Sequence, residues 1–146
     1  RLVVYLSMAF GNPYGEYYHP DIVAGVVKKL QEIEVEIIAL SDTAGVSNKK
    51  DITTLFSTLI PEYLTIEFGA HFHTTQEAWK EKIDAAYKNG CKRFDSTLRG
   101  YGGCPMTKDD LVGNMPTENL LTYFGRDLQF NLKEFKDSLA LADKIF

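Results

Sequence analysis

Apolar positions along this chain switch period, from short continuous runs to helical stripes and back, roughly every thirty residues. Residues 2–8 form a short apolar run, read as a buried parallel strand. The run breaks at Phe10-Gly11-Asn12-Pro13-Tyr14-Gly15, a loop signal. His19-Pro20-Asp21 then opens a helix whose stripe is Ile22, Val23, Val26, Val27, Leu30 and Ile33. Residues 36–40 give a second strand that ends in Ser41-Asp42-Thr43-Ala44-Gly45. The next helix starts at Asn48 or Lys49, turns Ile52, Leu55, Phe56 and Leu59 inward, and ends near Pro61. Residues 65–73 read as a third strand. Thr74 or Thr75 is placed to cap the helix that follows, with Trp79, Ile83, Ala86 and Tyr87 inward and Asn89-Gly90 as its stop. Residues 93–98 read as the fourth strand. After a glycine-rich loop, Pro116-Thr117-Glu118 opens a helix with Leu120, Leu121, Phe124 and Leu128 inward. A last helix, from about Leu132, carries Phe135, Leu139 and Ala142.

Four strand–helix units and an extra helix are the repeat of a parallel α/β sheet, expected as a single domain over residues 1–146. The chain is long enough to bury a core. The first residue, Arg1, runs straight into a strand, so the sequence reads as cut from something longer.

Composition narrows the function classes. The chain is 45% hydrophobic and 25% charged, as expected for a globular domain, and its net charge is −4. Acids and bases are interspersed, which argues against a nucleic-acid partner. No apolar run approaches a membrane span and no signal peptide is visible, so no membrane partner is expected. Of the two cysteines, Cys91 and Cys104, each is expected as a free thiol. The intervening chain, partly extended, spans roughly 30 Å or more, whereas a disulfide needs Cα atoms within about 7 Å. Free thiols fit a reducing compartment.

The candidate chemistry lies at the C-terminal ends of the strands, where parallel α/β folds place their sites. In the third strand, alternation puts Glu67, Gly69, His71 and His73 on one face and Phe68, Ala70 and Phe72 on the other. Two imidazoles one pleat apart suit a shared cation. Asn114 offers an amide oxygen from a following loop; it also reads as a turn residue after Gly113. Two histidines with an oxygen ligand suit Zn, Mn, Fe or Co, or Mg if a carboxylate and waters complete the octahedron. Cys104, after Gly102-Gly103, is either a thiol on a mobile flap or a buried small hydrophobe. Asp42 ends the second strand, as a base or ligand-orienting group, or as a turn cap with Thr43. Glu118 sits in the first turn of a helix, where the dipole favours a carboxylate.

Several stretches together resemble the hydroxymethylglutaryl-CoA lyases, within the metal-dependent lyase and carboligase TIM barrels. They are Ser7-Met-Ala-Phe-Gly-Asn-Pro-Tyr14, Ser41-Asp-Thr-Ala-Gly-Val46, Ala70-His-Phe-His-Thr-Thr75, Cys91-Lys-Arg-Phe-Asp-Ser96, Gly102-Gly-Cys-Pro105 and Gly113-Asn-Met-Pro-Thr-Glu-Asn-Leu120. The resemblance implies the C-terminal half of a (β/α)8 barrel and a divalent cation, Mg or Mn, held by His71, His73 and Asn114. It makes Cys104 the catalytic thiol and Asp42 and Glu118 polar active-site groups. The implied reaction is retro-Claisen cleavage of an acyl-CoA substrate, 3-hydroxy-3-methylglutaryl-CoA, to acetyl-CoA and acetoacetate.

The chain departs from that pattern at Thr74 and Asn119, and its stretch from Cys104 to Asn114 is one residue longer than in the animal enzymes. An Asp metal ligand, an adjacent Arg and a further Glu would belong to the missing N-terminal half of the barrel, so this segment alone is expected to be inactive. Other readings are a carboligase or aldolase of the same barrel family, or a non-catalytic metal-binding assembly module. A homo-oligomer is expected from two open sheet edges, located in the bacterial cytoplasm, or in the mitochondrial matrix of a eukaryote.

Overall fold

The structure is a computed structural model and describes residues 1–103, 112–125 and 131–146. The expected alternation is present: β1 (Val3–Leu6), α1 (Pro20–Glu32), β2 (Ile37–Asp42), α2 (Lys49–Glu62), β3 (Glu67–Thr74), α3 (Trp79–Lys88), β4 (Arg93–Phe94), β5 (Gly113–Asn114), α4 (Thr117–Phe124) and α5 (Leu132–Ile145). Strands β1 to β4 lie side by side in chain order, all parallel. The crossovers leave α1, α2, α3 and α4 packed in sequence along one side. The result is a curled half-barrel. Both β1 and β4 have a single β neighbour among the described residues and form its edges.

The core fills the space between sheet and helices. Ile38 and Leu40 of β2 and Phe68, Ala70 and Phe72 of β3 meet Val27, Ile52, Leu55, Phe56, Leu59 and Ile83 from the helices. Burying one such aliphatic or aromatic side chain contributes about 1.5–3 kcal/mol. Helix starts follow local chemistry. His19 precedes Pro20, and its Nδ1 accepts from the Asp21 amide; Asn48 accepts from Asp51 N. No described helix is long and apolar enough to cross a membrane.

Two boundaries differ from the expectation. Thr74 stays in β3 and α3 begins only at Trp79, after Ala78, with no side-chain cap. The fourth strand pairs over Arg93–Phe94 alone instead of residues 93–98. Its place beside the end of β3 is taken by the segment around β5. Met115 N donates to Phe72 O at 3.0 Å, and Thr97 N in turn donates to Met115 O at 3.0 Å. Strand β5 itself runs antiparallel to β3, in register His73↔Asn114 and Thr74↔Gly113. Leu128, expected inward, lies outside the described residues.

Candidate active site

Period two sends His71 and His73 away from the core, to the concave side of the sheet. Their rings are 5.5 Å apart. A cavity of about 380 Å³ opens there, lined by Tyr5, Ser7, Ser41, Thr43, His71, His73, Gly103 and Asn114. Asn114 reaches it because β5 crosses the end of β3. Its Nδ2 donates to Tyr101 O at 3.1 Å, which fixes the amide. Gly102, at φ +92°, makes room for it: a Cβ there would lie 2.9 Å from Asn114 Nδ2.

The two histidines have different surroundings. His73 is 5% exposed, and its Nδ1 has no hydrogen-bond partner. Burial, and next the neighbouring His71, push its pKa below the ordinary 6.5; the Thr43 backbone and the Asn114 side chain oppose this in part. Its neutral form, the one that ligates metals, is therefore favoured. His71 is less buried. Its Nδ1 lies 3.4 Å from Asp95 Oδ2, and its ring meets Tyr5 edge-on. The contact with His71, foremost, and one with Tyr5 hold the Asp95 carboxyl below its ordinary pKa. Sequence motifs alone do not single out Asp95. Its position two residues after Arg93, on the same face of the expected strand, is the signal the sequence carries.

The other expected site residues part company with this group. Asp42 follows Ser41 by one residue and so points to the helix side of the sheet, where it is 1% exposed. Its carboxylate accepts from Ser47 N at 3.1 Å, from Ser47 Oγ, and from Lys82 Nζ at 2.6 Å. It caps a turn and pairs with a cation, and it does not line the cavity. The turn partner is Ser47 and not the expected Thr43, which contributes its hydroxyl to Met8 N. Glu118 accepts from Arg99 N at 3.1 Å and lies 3.3 Å from Arg99 Nη1, and it too stands outside the cavity lining. Cys104 lies outside the described residues. Cys91 is a free, fully buried thiol.

No three His, Cys, Asp or Glu side chains among the described residues gather to hold a metal ion. The donors facing the cavity are two imidazoles and one amide. They fit a cation that draws further oxygen ligands from elsewhere, and the unpartnered Nδ1 of buried His73 is the atom such an ion would satisfy.

Comparison with known proteins agrees with this architecture. The HMGL-like family model matches residues 5–138. Hydroxymethylglutaryl-CoA lyase of Pseudomonas mevalonii is 32% identical over 121 residues, which are 83% of this chain and 40% of that protein. (R)-citramalyl-CoA lyase of Chloroflexus aurantiacus is 30% identical over 121 residues, 83% of this chain and 38% of that protein. The crystal structure of the Bacillus subtilis HMG-CoA lyase superposes with a TM-score of 0.85 at 26% identity, covering 97% of this chain and 48% of the other. The chain thus spans less than half the length of these relatives. With the half-barrel, the strand-end site and these likenesses together, the chain belongs to the HMGL-like family.

Proposed function

We propose that this chain supplies the C-terminal half of a carbon–carbon lyase that cleaves 3-hydroxy-3-methylglutaryl-CoA to acetyl-CoA and acetoacetate. The observation that carries the reading is the convergence of His71, His73 and Asn114 on one cavity at the strand ends, in a chain of this family. His71, His73 and Asn114 would hold a divalent cation, Mg or Mn. When bound, such a cation supplies Lewis-acid polarisation of the substrate's tertiary hydroxyl.

The residues of the chain prepare that binding. Burial favours neutral His73 as a donor, and Asp95 beside Nδ1 of His71 orients the second imidazole. In the reaction, the hydroxyl gives its proton to a base, the C–O bond becomes a carbonyl, and the adjacent C–C bond breaks. The bond's electron pair passes to the thioester fragment as an enolate, whose carbon takes a proton to give acetyl-CoA. Cys104 is the proposed donor of that proton. Asp42 is read as a support and not as the base, because Lys82 and Ser47 occupy its carboxylate. Glu118, bound to Arg99, is read in the same way.

The relative named as a citramalyl-CoA lyase, at 30% identity, favours a second substrate within the same class of CoA thioesters. Acetoacetate release from the full-length protein, with Mg2+ and each thioester in turn, tests both. Cleavage of 3-hydroxy-3-methylglutaryl-CoA that falls at least about 100-fold in His73→Ala is expected. Absence of metal-dependent cleavage of either thioester would overturn the proposal.

A further inference from the structure

We propose that Lys82, held by Asp42, is a positioning residue for His73: it pins the ends of β2 and β3 together behind the cavity. Lys82 stands on α3 and is 3% exposed. Its ammonium has three protons and three acceptors: Asp42 Oδ2 at 2.6 Å, His73 O at 2.9 Å and Gly45 O at 3.1 Å. The acceptors come from the two strand ends that face the site. On β3, the bond is to the main chain of His73 itself. On β2, it is to a turn that Asp42 closes through Ser47.

That turn carries Thr43, whose backbone faces the His73 imidazole. Thr43 is anchored to β1 as well, since its Oγ1 accepts from Met8 N at 3.0 Å. One buried cation therefore fixes both the main chain of His73 and the segment against which its ring rests. A buried ammonium is costly to desolvate, and packing alone at this place would need only an apolar side chain. What an apolar side chain would lack is the set of three directed bonds.

The inference rests on the metal reading above. Its test separates positioning from stability. Lys82→Met alone leaves Asp42 buried without its cation and can fail to fold. The double variant Asp42→Asn/Lys82→Met removes both charges, and its unfolding midpoint is expected near that of the wild type. Its affinity for Mn2+, titrated calorimetrically in the full-length protein, is expected to be weaker by about tenfold or more. Ile83→Val, at the buried neighbour on α3, is expected to bind Mn2+ like the wild type.

A folded double variant that binds Mn2+ as tightly as the wild type overturns the proposal. If the double variant does not fold, lysine-labelled wild-type protein gives the answer. Mg2+ should shift the Lys82 ammonium resonance in an NMR spectrum and leave those of exposed lysines in place, and no shift at Lys82 overturns the proposal. Wild-type protein that binds no Mn2+ removes the metal reading itself and this inference with it. Wild-type binding with an insensitive variant removes the inference alone.

Discussion

Strand β3 puts Phe68, Ala70 and Phe72 against the helices and Glu67, Gly69, His71 and His73 on the concave side. The first side is closed: the three residues are 4%, 1% and 2% exposed. The second side is polar. Ser41 Oγ, His73 Nδ1, Arg93 Nε and Asp95 Oδ2 are the buried side-chain atoms without a hydrogen-bond partner among the described residues, and all four lie on that side. Buried polar atoms in folded proteins are as a rule paired. One face thus holds the fold together, while the other gathers the polar and titratable groups, among them Asp95 beside His71.

The largest effect should come from leaving the concave side uncovered. Residues 1–146 alone are expected to release negligible acetoacetate and to self-associate through the free edges of β1 and β4. Light scattering across a concentration series, with the assay on the same samples, checks both; a monomer with turnover would erase the contrast between the faces. On the closed side, Phe72→Ala should cost about 3–5 kcal/mol in chemical denaturation. On the open side, His73→Ala should remove Mn2+ binding, measured by calorimetry, at a stability cost of about 1–2 kcal/mol, smaller than that of Phe72→Ala because the ring lies outside the apolar core.

Cys91 gives the smallest and most specific test. Its thiol donates to Arg93 O at 3.2 Å, and burial pushes its pKa from 9.0 up to about 12. The unfolded chain releases this proton more readily than the folded one. The stabilising contribution is therefore present below pH 9 and is lost as pH rises from 9 towards 12. Denaturation at pH 8 and pH 10 should show a loss of about 1 kcal/mol that Cys91→Ala reduces. Native thiol labelling should also find Cys91 slower than Cys104.

Much of this contrast was legible beforehand. Period two alone separates the histidine face from the Phe68–Phe72 face, and apolar runs between helical stripes locate the sheet. What escaped was long-range. Lys82 lies between Lys80 and Ile83 on a helix and carries no local sign that its side chain crosses to β2 and β3. Asp42 reads as a rim carboxylate until the parity of its strand is combined with that lysine. Strand β4 is short because residues from beyond the glycine-rich loop return to take its place, an event that no propensity announces.

That return has a consequence for robustness. Asn114 is set against His73 by a main-chain ladder, and Met115 is locked between Phe72 and Thr97. The place of Asn114 is thus held by pairing downstream of the glycine-rich loop. Asn114 therefore keeps its seat beside the two imidazoles through main-chain bonds, which exchanging neighbouring side chains leaves in place.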